Sequence, residues 1–446
     1  MTKRTRRILF YAATLSFFVI AVGALFYSNG WRFDLETFTL NRLGGIYFDK
    51  IPDGATLTID KLDMQFNPSF FGSSILIANL FPKTYTAHIE RSGYQSWSKQ
   101  IAVEPSLVTE IPPIIMLSTS TPAEQPVATH VADLWIKRSH LITRTSAGTL
   151  LFKGETIPGA EVMTWADDAS AVVTQNVHGY YYFLSLDTPS NALTLDSAFS
   201  AARAGTKIGD HTSIRTVAFE PNSATTLILQ TDAGLYLFDT GSFSVTPVSQ
   251  APIRSFAADP QELLFISNNN IFAFPWDAAV SQQLHITPSL PNPDRITAAK
   301  DGFAFTLLDT NGTLTFVDRH TLTARTITTD ARTALFSPAS MELVFTTANQ
   351  EFGIYTYGAR GQLLETSRTA LLHLSGEDER TILWHAQGGY VFLQYPDSLY
   401  LLEANGQPPI NLQKIDENIK KYAYDDTTNT VFLLKESGTL FSLTVQ

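Results

Sequence analysis

Arg215, Arg254, Arg295 and Arg332 each stand four residues before the centre of a short apolar run, and Lys420 takes that place in a fifth run. Guanidinium groups are planar forks that match carboxylate and phosphate oxygens, so five cations gathered at one point would hold an anion. The same residues serve equally well, without any ligand, if each pairs with an acidic side chain of an adjoining repeat. Glu161 interrupts the series in another unit. The remaining chemistry-bearing residues are scattered. Nine histidines show no pair at metal-ligand spacing, and the 446 residues include no cysteine, which excludes disulfides, thiolate metal sites and a cysteine nucleophile. Neither a Gly-x-Ser-x-Gly elbow, a phosphate-binding glycine loop nor His-Glu-x-x-His occurs. Asp309-Thr310-Asn311-Gly312 begins like a calcium loop but lacks the distal glutamate and reads as a hairpin. Ser96-Trp97-Ser98-Lys99 has the Ser-x-x-Lys spacing of penicillin-binding enzymes, yet it lies in a strand pattern where that chemistry needs a helix start. No catalytic residue, metal or cofactor is therefore expected. Carboxylate pairs drawn from different repeats stay open, because spacing along the chain is silent about them.

The cations belong to a repeat. A turn containing Gly, Asn or Asp followed by an alternating apolar strand occurs eight times, from Ala147-Gly148-Thr149-Leu150 through Ala233-Gly234-Leu235-Tyr236 and Asn311-Gly312-Thr313-Leu314 to Ser437-Gly438-Thr439-Leu440. The mean spacing of about 41 residues is that of a four-stranded propeller blade. A second phrase precedes the first, as in Ile214-Arg215-Thr216-Val217-Ala218-Phe219-Glu220-Pro221 and Ala331-Arg332-Thr333-Ala334-Leu335-Phe336-Ser337-Pro338. It resembles the inner-strand signature of TolB-like and WD-repeat-like β-propellers, without the Trp-Asp dipeptide of true WD repeats. The expected fold over 127–446 is a β-propeller, eight blades favoured over seven. Asn191 to Ser213 reads as an insertion rich in Ala and Ser and partly helical. Long insertions in repeat folds map to loops and often to binding faces.

Ahead of the repeats, Ile8 to Tyr27 is an apolar run broken only by small polar residues, directly behind Lys3, Arg4, Arg6 and Arg7. At 1.5 Å per residue such a helix covers the roughly 30 Å hydrocarbon core of a bilayer. The positive-inside rule then leaves residues 1–7 as a cytoplasmic stub and the bulk of the chain extracytoplasmic, with Tyr27, Trp31 and Phe33 suited to the headgroup belt. The rival reading is a cleaved signal peptide, since Val22-Gly23-Ala24 resembles a cleavage site. All 42 acidic residues follow the helix, so the exported part is more acidic than the chain's net −11 and duplex nucleic acid is an unfitting partner.

Between helix and repeats, 44–117 reads as short alternating strands, among them Ala55-Thr56-Leu57-Thr58-Ile59-Asp60 and Tyr85-Thr86-Ala87-His88-Ile89-Glu90. Gly45-Ile46-Tyr47-Phe48, Pro52-Asp53-Gly54-Ala55, Leu80 with Pro82 and Tyr85, and Gly93-Tyr94 with Trp97 resemble a PEGA domain over the whole segment. Asp53 replaces the family's glutamate and Lys83 its glycine, both at turns. The resemblance implies a small β-sandwich acting as a spacer or adhesive module on an envelope protein. Residues 118–126, polar and bounded by proline, read as a linker.

The function this supports is a membrane-anchored binding or scaffold protein that presents a propeller to an envelope polymer or a protein partner. Two alternatives remain: an exported propeller enzyme acting on glycans or peptides, and an accessory subunit of a membrane complex.

Overall fold

The computed structural model describes residues 3–34, 38–60, 62, 64–66, 73–119, 126–204, 213–278, 280–288, 292–339, 341–349, 351–358, 369–373, 381–404 and 410–445. Lys3–Ser28 is one continuous α-helix with no buried side chain, and among the described residues it alone is long and apolar enough to cross a membrane. A two-stranded hairpin follows, Trp31–Asp34 paired with Thr39–Arg42.

The chain divides into two compact units. The first is built on Met1–Ser120, the second on Thr121–Gly406 and Leu412–Val445. In the first, a three-stranded sheet places Gly44–Phe48 between Ile75–Leu80, antiparallel, and Val108–Ile111, parallel. A four-stranded sheet runs in the order Met64–Phe66, Thr56–Ile59, Thr84–Glu90, Trp97–Ala102. Alternation explains the sandwich. Tyr85, Ala87 and Ile89 point into a core with Ile46, Phe48, Leu57, Trp97 and Ile101, while Thr84, Thr86 and His88 face outward. Fully burying each such side chain contributes about 1.5–3 kcal/mol. Gly54 and Gly93, at φ of 73° and 78°, take the left-handed turn conformations that the Pro-Asp-Gly and Arg-Ser-Gly sequences announce.

The second unit contains eight four-stranded antiparallel sheets among its described residues. Seven follow one another over 131–157, 161–194, 214–249, 255–284, 293–328, 331–373 and 381–417. The eighth combines Ile419–Asp425, Thr430–Lys435 and Leu440–Thr444 with Pro126–Ala128, which supplies its outermost strand. First strands adjoin between the second and third, the fourth and fifth, and the fifth and sixth sheets, and Val131–Lys137 of the first sheet adjoins Ile419–Asp425 of the last. The ring is closed, and the arrangement is a β-propeller.

Each hydrophobic cluster draws on two neighbouring sheets. One joins Phe265 and Leu263 to Ile228 and Leu235, the next joins Leu264 and Ile266 to Phe305 and Leu307. A second strand is therefore buried on both faces. Glu262–Ser267 and Tyr390–Gln394 are buried at every position, as in strands covered from both sides.

One segment departs from the sequence reading and one, the partly helical insertion, agrees with it. The residues read as a linker start packed, since the Thr119 N–H donates to Gly93 O at 2.8 Å, and they end in a strand at Pro126. Residues 120–125 lie outside the described residues. The insertion after Asn191 is a two-residue strand and the helix Leu195–Arg203, whose Leu195, Ala198 and Phe199 pack among Tyr181, Tyr236 and Phe238. This helix fills the wedge between the second and third sheets. Residues 205–212 lie outside the described residues.

Candidate functional site

First strands line the centre of a propeller, so their N-terminal ends mark one mouth of the channel. There the ladder slips by one residue in six of the eight sheets, and the residue left over is Ala132, Met163, Arg215, Asp294, Arg332 or Lys420. A residue left over in this way is turned out of the ladder. Arg215, Arg332 and Lys420 hold that place and are exposed. In the fifth sheet the place belongs to Asp294, and Arg295 falls one residue later. The expected equivalence of four arginines is corrected to that extent, because counting from the apolar run cannot detect a one-residue slip. Arg254 is exposed too, directly ahead of the strand Ser255–Ala258.

The guanidinium contacts run around the ring. Arg254 Nη1 donates to Pro293 O of the next sheet at 3.1 Å, with its Nε 4.0 Å from Asp294. Arg295 Nη2 donates to Arg332 O of the next sheet at 3.1 Å, and Arg332 Nη2 to Ala348 O of its own sheet at 3.3 Å. Residues of other types do the same work elsewhere. Arg144 reaches Ala160 O at 3.2 Å, Tyr181 Oη reaches Arg215 O at 2.8 Å, Gln230 reaches Ile253 O at 2.8 Å and Gln394 reaches Lys420 O at 3.1 Å. Lys421 of the last sheet meets Asp133 of the first. Between the sixth and seventh sheets the Trp384 indole N–H donates to Leu335 O at 3.0 Å, so each of the eight junctions carries a polar staple. The sequence did not mark this set because its members differ in type and lie on first, second and third strands.

A cavity of about 320 Å³ is lined by Arg295, Thr297, Thr306 and Leu308 of the fifth sheet, Thr333, Ala334 and Leu335 of the sixth, and Thr381 and Ile382 of the seventh. Thr333 and Thr346 share a hydroxyl–hydroxyl hydrogen bond of 2.8 Å that fixes the Thr333 rotor. The cavity combines one cation, four threonines and an apolar floor. Of the cationic series only Arg295 lines it.

The buried carboxylates are engaged elsewhere. Glu262 accepts both Nε and Nη2 of Arg319, the latter at 2.7 Å, and the hydrogen bond to Glu262 raises the Arg319 pKa. Asp259 accepts the Gln261 and Glu262 N–H groups, while burial pushes its carboxyl up. Asp309 accepts the N–H groups of Asn311 and Thr313, which is turn chemistry. Among the described residues no group of three or more His, Asp or Glu side chains gathers as a metal site.

The protein is thus of the β-propeller class, with a small sandwich and an apolar helix ahead of the ring. No family model matches the chain, and a search of curated proteins finds no match. Solved propeller structures resemble it remotely. The Cps50 (Swd1) β-propeller domain of Myceliophteria thermophila gives a TM-score of 0.43 at 13% identity, covering 65% of this chain and 97% of that one. A chain of a mitotic checkpoint complex gives 0.46 at 12%, covering 74% and 99%. PorZ, a bacterial surface component of the type-IX secretion system of Porphyromonas gingivalis, gives 0.41 at 10%, covering 69% and 42%.

Proposed function

We propose that the chain is a membrane-anchored extracytoplasmic binding protein that carries out no catalytic step of its own. In this reading Lys3, Arg4, Arg6 and Arg7 hold the N-terminus in the cytoplasm and Ile8 to Tyr27 spans the bilayer. The PEGA-like sandwich is a spacer. The propeller engages an envelope polymer or a protein partner, and nucleic acid is excluded by the acidity of the exported part.

The observation that carries the reading is the 320 Å³ cavity, because residues of three sheets build it and no single repeat contains its set. A guanidinium supplies forked donors, and threonine hydroxyls both donate and accept. That combination fits a carboxylate or phosphate flanked by hydroxyl groups, the chemistry of an anionic polysaccharide. Full-length protein in nanodiscs, titrated with purified anionic and neutral envelope polysaccharides across salt concentrations, tests it. Binding to the anionic polymer should weaken with salt and fall about tenfold in Arg295→Ala, the loss expected for a hydrogen bond to a charged group. Thr333→Val, which leaves the Arg295 staple in place, should weaken both polymers. Unchanged binding in both variants would remove the cavity from the reading, and no binding at all would leave the protein partner.

A further inference from the structure

We infer that the hairpin Trp31–Arg42 is an interfacial element that lies in the lipid headgroup layer with Phe33, Phe38 and Leu40 turned into the bilayer; this rests on the reading that the preceding helix spans. The hairpin register pairs Trp31 with Arg42 and Phe33 with Leu40 on one face, Arg32 with Asn41 and Asp34 with Thr39 on the other. Apart from Arg42 at its pairing with Trp31, that first face is apolar and aromatic, extended by Phe38, whose ring meets Phe33 edge-on at 6.3 Å. The other is polar, and Asn41 donates to Thr39 Oγ1 within it at 2.8 Å.

The apolar face is open. Phe33 is 52%, Phe38 77% and Leu40 43% exposed, and the hairpin pairs with neither sheet of the sandwich. A lone two-stranded hairpin is marginal in water, so a surface must cover that face. Its attachment says which one. Twenty residues from Ile8 to Tyr27 use up roughly 30 Å of hydrocarbon, and the hairpin opens four residues later. The join is stiff: the Gly30 N–H donates to Tyr27 O at 3.2 Å, Arg32 Nη1 to Tyr27 O at 2.8 Å, and the Leu43 N–H returns to Gly30 O at 3.1 Å. The Phe26 and Trp31 rings meet across it at 6.0 Å. A hairpin so held cannot leave the membrane surface.

The two arginines suit a phosphate layer. Arg32 lies over the Tyr27 ring at 3.4 Å and Arg42 over the Trp31 ring at 5.2 Å. Each pairs a cation with an interfacial aromatic, so the ring rests at the hydrocarbon edge while the guanidinium reaches lipid phosphate.

The chain has no cysteine, so single labelling sites are unambiguous. Full-length Val19→Cys, Phe38→Cys and Asn41→Cys proteins, each carrying an environment-sensitive fluorophore, are reconstituted into phosphatidylcholine–phosphatidylglycerol vesicles containing nitroxide lipids. The expected result is quenching of the position 19 label by deep nitroxides. The label at 38 should be blue-shifted and quenched by headgroup-proximal nitroxides, and that at 41 should stay open to aqueous iodide. Quenching at 19 with labels 38 and 41 equally open to iodide overturns the hairpin inference alone. A label at 38 shielded from both iodide and nitroxide lipid overturns it in favour of a protein cover. Absence of quenching at 19 overturns the spanning reading and the inference with it.

Discussion

Lys421 and Asp133 meet at the seam of the ring, Nζ to Oδ1 at 2.5 Å, although 288 positions separate them. The other oxygen of Asp133 accepts Arg144 Nη2 at 3.0 Å. Trp135 packs against both cations, its ring 4.6 Å from Lys421 Nζ and 5.8 Å from Arg144 Cζ. One carboxylate thus keeps two positive charges on one indole, where they would otherwise repel.

Removing the carboxylate should therefore cost more than removing one cation. Asp133→Ala is expected to lower stability by about 1–3 kcal/mol, and Lys421→Ala, whose side chain is partly exposed, by under about 1 kcal/mol. Urea midpoints at low and high salt measure both. Equal costs would show that Asp133 does not couple the two cations.

Arg254 spends its fork on the fifth sheet. Losing the bond to Pro293 O should cost Arg254→Ala about 1 kcal/mol, the net worth of one hydrogen bond. Arg254→Lys should recover only part of it, since an ammonium has no fork. Thermal midpoints of the two variants decide, and an unaltered Arg254→Ala would sink the staple assignment.

His385 predicts acid sensitivity. Its ring is buried among Tyr390, Phe392 and Tyr424, Nδ1 accepts the Gln387 N–H at 3.4 Å, and Nε2 has no partner among the described residues. Burial lowers its pKa to about 4. An unfolded histidine titrates near 6.5, so between those values the unfolded chain takes a proton that the folded one refuses, and each pH unit of acidification removes about 1.4 kcal/mol. This contribution is complete above about pH 6.5 and lost as pH falls to about 4. Urea midpoints of His385→Phe should depend less steeply on pH over that window than those of the parent, and parallel curves would refute the assignment.

Gly353 is paired directly with Phe345, whose ring lies where a Cβ would stand. Gly353→Ala must displace a buried ring between two sheets and should cost about 1–3 kcal/mol. A Phe345→Leu background should reduce that cost in a double-mutant cycle. An unreduced cost would place the strain elsewhere.

Much of this architecture can be read from the chain. The eight Gly, Asn or Asp phrases are the hairpin and third strand of successive sheets, such as Leu235–Asp239 and Leu314–Asp318. Asp239 and Asp318 recur at their ends because each carboxylate accepts N–H groups of the following turn, from Ser242 and from His320 and Thr321. The arginine series was visible as well, but its meaning was not. Arg254 and Arg295, outside the slip position, reach the next sheet while Arg332, within it, bonds to its own, and a one-residue slip leaves no mark on composition. Strands such as Glu262–Ser267, covered on both faces, lose the alternation that identifies a strand. The hairpin of Trp31–Asp34 and Thr39–Arg42 was legible only as aromatics near a membrane, because the sequence between its strands contains neither Gly nor Pro. The cavity draws on residues more than eighty positions apart, from Arg295 to Ile382, a distance that only the curvature of the ring removes.

Pro126–Ala128 leads the second unit yet pairs with Leu440 and Phe441. During vectorial synthesis the outermost strand of the last sheet emerges first and must wait for almost the whole unit before its partner exists. Until then the protein is an open arc with a bare strand edge at each end, available to a second nascent copy or to a holding chaperone. Completion is a single late event, and the arc becomes a ring only when both ends of the unit are free of the machinery that made them.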